Sequence, residues 1–398
     1  MVQVAFGQRH FDLPLDPGKV IGTHRGPASL PNPAEALRAA IHHPYSYPPI
    51  HSALTPDDRV SIVLDGPFPE MGRLLVLILE EILRAGVSPE AISLIASETG
   101  QTQSWLDDLP EHLEDVHVEE HDPDLREKLA YLATTKGGRR LYLNRTLVES
   151  DQILVMSLRR YDCRFGIAGA ETGIFPALSD EETRRESSRW TKIIAPVGKS
   201  NALREEAMEV AWLLGQPYYL QFIPGQGGGV SDVLIGATEA AREAEHRLDR
   251  GWKRNFPRPA ELVIATLTGN SSQHSFSDLA AAADQAHKVV RPGGRILLLS
   301  DAKPRMDPGI EVLMEAEDSR SAINALERLH SGEVIPALLW ARSAHHARIS
   351  LASGLSHEVV ESLFASPVDS PDQVQRLVQQ AGDCIWIEDA HRCLVGLE

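Results

Sequence analysis

Cysteine is scarce: Cys163, Cys384 and Cys393 are the whole complement of 398 residues. An odd, widely spaced set supports neither a zinc site nor a disulfide framework. Cys163 has the chemistry of a nucleophile, but with no partnered histidine in view it reads as a small loop or core residue. Positive charge is also in short supply, with 39 Lys and Arg against 56 Asp and Glu and a net charge of -17. That balance speaks against partners such as nucleic-acid phosphates or anionic membranes. No apolar stretch is long enough to span a bilayer. The opening residues, Met1 to Gly7, lack the basic start and apolar run of a secretory signal, so a cytoplasmic location is expected. Tandem repeats and low-complexity segments are absent too.

What is present is an alternation of strand-like and helix-like segments. An apolar share of 42% suits a globular protein, and 398 residues exceed one ordinary core. The fold class expected is α/β, with two domains of Rossmann-like, mostly parallel sheets flanked by helices. The larger would span residues 1–256 and the smaller 257–398, with a cleft between them. Asn32 caps a short helix that Pro33 opens and that runs to Ile41. Arg59 to Asp65 reads as a buried strand ending in a carboxylate. Met71 to Ala85 reads as a helix stopped by Gly86, and Ala91 to Ala96 as the next strand. In the second half, Leu262 to Thr266 and Arg295 to Ser300 are strands. Between them lie a helix from Ser277 to His287 and a turn at Pro292-Gly293-Gly294. Further strand–helix units run through Ile335 to Leu339 and a helix from Ser356 to Phe364. Apolar strands joined through helices make parallel sheets, and ligands gather at the carboxyl ends of their strands. Asp65, the loop holding Gly100 and Gln101, and the loop at Asp162 all follow such ends.

The stretch from Arg159 to Pro176 is the densest in chemistry. It follows the apolar run Gln152 to Met156 and precedes an acidic helix start at Ser179-Asp180-Glu181-Glu182. Its small residues Gly166, Ala168, Gly169 and Ala170 suit a loop that offers backbone N–H groups to an anion. Arg159, Arg160 and Arg164 form a local basic cluster in an acidic chain. Arg164 is either the countercharge for a bound anion or the partner of Asp162 or Glu171. Gly225 to Gly229 lies between two apolar runs and reads as a hairpin, not as a phosphate loop. His112, His117 and His121 stand among glutamates, and a solvated acidic surface is favoured over a metal site there. The adjacent pairs His42-His43 and His345-His346 read as surface or packing residues.

The order of these motifs resembles the lactate racemase family. Its active-site loop reads Glu-Pro-His-Phe-Phe-Ala-Gly-Phe-Ser-Gly-Gly-Pro-Lys, then Leu-Pro-Gly. Here Arg160 to Thr172 keeps the frame, including Gly166 and Gly169. Further pieces match in order: Asn32-Pro33 to Ile50, His121-Asp122, Tyr131 to Thr135, Leu143-Asn144-Arg145, Val148 to Asp151, Asn201, Arg204-Glu205 and the Pro292 turn. The resemblance implies an interdomain active site with a nickel-pincer nucleotide tethered to a lysine. It also implies a histidine ligand to nickel and two acid/base histidines. By the same alignment those histidines fall at Gly100 and Asp162, the tether at Thr172 and the nickel ligand near Ser188. A substrate arginine falls at Phe68, and a tyrosine and a lysine fall near Ser277 and Ala281; the carboxylate at Asp65 is kept.

Threonine offers no amine, serine is a poor nickel ligand, and glycine moves no proton. No cofactor and no metal are therefore expected. The expected function is that of a lactate racemase-like protein with a degenerate active site. It would bind a small organic anion through Gly100, Gln101, Arg164, Gly169, Thr172 and Ser188. One alternative is a divergent isomerase, a racemase or epimerase of a 2-hydroxy acid or sugar acid, with Asp65, Asp162 and Glu171 as acid/base candidates. Another is a non-catalytic partner of an active paralogue. Whether the chain is an enzyme stays open, as does a homo-oligomer or pairing with a paralogue.

Overall fold

The structure is a computed structural model. It describes residues 2–66, 68, 70–97, 109–189, 198–305 and 308–398. Two compact units divide the chain. One comprises residues 29–225 and 229–248; the other comprises 1–28, 226–228 and 249–398.

The first unit is built on a six-stranded sheet. Its strands are β1 (Val60–Asp65), β2 (Ile92–Ala96), β3 (His117–Glu120), β6 (Gln152–Leu158), β9 (Tyr218–Pro224) and β10 (Val230–Gly236). Two hairpins lie outside it: β4 (Leu129–Thr134) with β5 (Arg140–Asn144), and β7 (Arg160–Asp162) with β8 (Gly166–Ala168). The sheet order is β10-β9-β6-β1-β2-β3, and only the β9–β10 pair is antiparallel. Every residue of β1 is buried, as a central parallel strand covered on both faces requires. Helix α1 (Pro33–His42) has Asn32 and Pro33 where the sequence put them, although the Asn32 side chain makes no capping bond. Helix α2 (Met71–Arg84) connects β1 to β2 and buries Leu74, Leu75, Ile78 and Ile82. It ends before Gly86, whose φ of 97° is left-handed. The Gly225–Gly229 stretch is the expected hairpin connection between β9 and β10.

The second unit holds a six-stranded, all-parallel sheet. In spatial order its strands are Ala365–Pro367, Arg348–Ala352, Val290–Leu299, Ala260–Thr266, Cys384–Ile387 and Val20–His24. The α/β class with parallel-dominated sheets is thus the observed one. Three readings of the second half change. Residues 1–28 belong to this unit, because Val20–His24 pairs with Cys384–Ile387, and the division on the other side falls at Asp249 instead of 256/257. The Pro292-Gly293-Gly294 segment is carried inside one strand, bent where Gly293 takes a φ of 71°. Ile335–Leu339 opens a helix, Ile335–His346, because proline in the first turn costs no hydrogen bond there. The strand that the sequence reading missed is Arg348–Ala352.

Candidate functional site

The chain leaves β1 toward β2 and β3 on one side, then returns to lay β6 on the other side of β1. This reversal makes the carboxyl ends of β1 and β6 a switch point, where side chains from two diverging loops meet. Asp65 pairs with Ser157 in register at that point. Asp65 is buried and accepts a hydrogen bond from Arg160 Nη1 at 3.1 Å. Helix α3 (Ala170–Ile174) packs close by. A Cβ at Gly173 would lie 2.7 Å from Asp65 Cβ, so glycine permits the approach.

Directly after β6 comes Arg159, which is fully buried. Its guanidinium forks onto Glu171, with Nη1 to Oε1 at 2.8 Å and Nη2 to Oε2 at 3.2 Å. Arg204, from helix α5 (Ala202–Leu213), adds bonds from Nε at 3.2 Å and Nη2 at 3.1 Å to the same Oε1. Arg204 Nη2 also bonds Glu245, which lies 3.9 Å from Arg159 Nη1. Two guanidiniums and two carboxylates thus neutralise one another inside the unit. Burial by itself would raise the Glu171 carboxyl, but the Arg159 charge and hydrogen bonds, then the Arg204 charge, outweigh it and bring it to about 2. A carboxyl held there keeps its charge at neutral pH. Glu171 was expected as an acid/base candidate; its surroundings make it a fixed counter-anion instead.

The β7–β8 hairpin turns through Cys163, Arg164 and Phe165. Asp162 Oδ1 accepts from the backbone N–H groups of Arg164 at 2.6 Å and Phe165 at 2.9 Å, so this carboxylate closes the turn. Gly166 has a φ of 74°, and a Cβ there would meet Lys199 O at 1.8 Å. Within the loop, Gly169 N–H donates to Thr172 Oγ1 at 3.0 Å and Thr172 Oγ1 donates back to Gly169 O at 2.9 Å. The N–H groups of Thr172 and Gly173 both go to Gly169 O at 3.0 Å. Of the backbone donors expected to face an anion, that of Gly169 is therefore consumed inside the loop, as are those of Thr172 and Gly173, and all of α3 is buried.

Arg164 behaves differently. Its Nη2 donates to Ser188 Oγ at 3.1 Å and its guanidinium lies 5.5 Å from the Phe165 ring centroid. Ser188 ends helix α4 (Glu181–Ser187). Among the described residues Arg164 has no carboxylate partner, since Asp162 takes its backbone N–H and Glu171 is held by Arg159 and Arg204. The structure thus brings Asp65, Asp162, Arg164, Gly169, Glu171, Thr172 and Ser188 together in one unit around the β1 and β6 ends. Gly100 and Gln101 lie outside the described residues. The sequence reading missed Arg204 as a second partner of Glu171 and Glu245 as a second carboxylate on Arg204; their spacings of 33 and 74 residues from Glu171 carry no local signal. His112, His117 and His121 are not a metal cluster, and the described residues contain no group of three or more metal-ligating side chains. No helix among the described residues is long and apolar enough to cross a membrane.

The class defined by this fold is a two-unit α/β protein whose loop chemistry sits at a switch point. Residues 6–191 match the lactate racemase N-terminal domain model. The whole chain is similar to the lactate racemase apoprotein from Thermoanaerobacterium thermosaccharolyticum, with a TM-score of 0.83 over 99% of both chains at 15% identity. It is also similar to a protein from Thermotoga maritima, with a TM-score of 0.65 over 92% of this chain and 97% of that one at 13% identity. No curated protein sequence matches. The chain thus resembles the lactate racemase N-terminal domain over residues 6–191 and shares the fold of the lactate racemase apoprotein along its length.

Proposed function

We propose that the protein binds a small organic anion at the Arg164–Ser188 edge of the glycine loop and that it has given up nickel-pincer chemistry. The observation that carries the reading is the half-buried Arg164 guanidinium, which has a serine but no carboxylate partner among the described residues. A carboxylate ligand completes that charge with a charge-assisted bond.

The cofactor reading of the family does not fit these side chains. Thr172 brings no amine, and its hydroxyl is closed into reciprocal bonds with Gly169. Ser188, at the nickel-ligand position, takes a hydrogen bond from a guanidinium, and a cation beside a metal position repels the metal. Phe68, at the substrate-arginine position, is buried with its ring 4.7 Å from Phe222. Among the acid/base candidates, Asp162 is committed to a turn and Glu171 to two arginines, which favours binding over turnover.

Two measurements test the reading. Calorimetry with lactate, glycolate and gluconate should detect binding that Arg164→Ala weakens about tenfold or more, the size of one charge-assisted bond. An unchanged affinity in that variant would remove Arg164 from the site. Intact mass of protein coexpressed with pincer-cofactor biosynthesis enzymes should equal the polypeptide mass; a nucleotide-sized adduct would overturn the loss of the cofactor.

A further inference from the structure

The first unit holds a pocket of about 840 Å³ that runs along α5. Its walls include the β4–β5 turn and the start of helix α6 (Thr238–Trp252), and its floor shares Glu171, Arg204 and Glu245 with the buried network. Six glutamates line it (Glu171, Glu205, Glu206, Glu209, Glu239 and Glu245) against four cations, Lys136, Arg139, Arg204 and Arg242. Two of the cations are committed: Arg139 to Glu186 and Glu206, and Arg204 to Glu171 and Glu245. The lining therefore carries an excess of two negative charges.

Tyr219 supplies an independent observation. Its side chain is only 5% exposed and lines this pocket, yet its hydroxyl has no hydrogen bond among the described residues. Its neighbour Tyr218 donates to Pro48 O. Burial, with the Glu171 charge, pushes the Tyr219 phenol well up from its usual range, so it stays neutral. The hydroxyl oxygen opens onto the pocket, so a group bound there can meet it. The same pocket shows large apolar surface to solvent: Trp212 is 64% exposed and Met208 36%. An indole face beside carboxylates suits a cation with an apolar body.

We propose that this pocket binds an organic ammonium ion with an apolar or aromatic body. The body lies against Trp212 and Met208, the ammonium group faces the glutamates, and the Tyr219 oxygen accepts one of its N–H bonds. Lys136 and Arg242 are exposed and leave the glutamate excess uncancelled.

Phenethylamine, phenethyl alcohol and phenylacetate share one frame and differ in charge, so they serve as probes in calorimetry on the full chain. Phenethylamine should bind about tenfold tighter than phenylacetate, with the alcohol between them. Trp212→Ala, a surface change, should weaken phenethylamine about fivefold. Tyr219→Phe keeps the shape and should weaken it about threefold or more. Glu205→Gln with Glu239→Gln should narrow the gap between amine and carboxylate. Equal or tighter binding of phenylacetate overturns the proposal. So does an unchanged affinity in Trp212→Ala, or the absence of any phenethylamine binding up to about 10 mM.

Discussion

Replacing Glu171 by glutamine tests the buried network directly. The substitution keeps the shape and removes one negative charge from between Arg159 and Arg204, which are 0% and 5% exposed. A carboxyl held at about 2 instead of 4.5 prefers its ionised form by about 3 kcal/mol. That agrees with the roughly 3–5 kcal/mol lost when one member of a buried ion pair is removed. Glu245 remains as a partner for Arg204, so the lower end is expected. For a unit of this size about 3 kcal/mol corresponds to a fall in midpoint of roughly 6–12 °C. Urea and thermal unfolding of Glu171→Gln beside the parent give the number. Adding Arg204→Met should recover part of the loss, because the uncompensated guanidinium leaves with the carboxylate. The acid dependence gives a second reading. Glu171 contributes stability that is present above its ordinary value of 4.5 and is lost as pH falls toward about 2, and the glutamine variant should lack that component. A loss below about 1 kcal/mol in Glu171→Gln, with an unaltered acid profile, refutes the network as a source of stability.

Burial holds His24, His121, His274, His287 and His391 below the usual histidine value of 6.5. The unfolded chain then takes up protons first. Stability should be full above about pH 6.5 and should fall as pH drops through it, each histidine adding at most about 1.4 kcal/mol per pH unit. Urea midpoints measured from pH 8 to pH 5 check this, and a flat profile contradicts it. Gly169→Ala should lower stability by about 1–3 kcal/mol, because the added Cβ would sit 2.4 Å from Arg159 Cζ. Gly137→Ala, whose Cβ would meet nothing nearer than Thr135 Oγ1 at 3.6 Å, should stay within about 0.5 kcal/mol. Equal midpoints for the two alanine variants would mean that Arg159 moves aside freely.

The central strands were legible because burial on both faces writes itself as a nearly unbroken apolar run, as in Val60 to Leu64, where Ser61 is the single polar residue. Asp65 was legible because a carboxylate ending such a run sits at the open end of the sheet. The β9–β10 hairpin was legible from glycines between two apolar runs. The failures have equally local causes. Five apolar residues from Ile335 cannot distinguish a strand from a helix start, and the proline in the first turn was the clue passed over. Arg164 and Glu171 are seven residues apart and were natural partners on paper. Two other arginines took Glu171 instead, one fixed by the end of β6 and one by α5, and only packing brings these together. The thrifty use of loop N–H groups by Thr172 and Gly169 was also invisible, since a small polar residue carries no mark of which carbonyl it will meet.

The pairing of Val20–His24 with Cys384–Ile387 separates the order of synthesis from the order of folding. Residues 29–248 supply nearly all of the first unit and can collapse as they leave the ribosome. Residues 1–28, made before that unit, must wait for a strand more than 360 positions downstream, beyond an entire folded unit. Until then Val20–His24 is a parallel strand without a sheet. In a fragment that starts at Asp249, Cys384–Ile387 in turn becomes an open edge with unpaired N–H and C=O groups. Such a fragment is expected to self-associate, whereas supplying residues 1–28 as a separate peptide should close the edge and keep it monomeric.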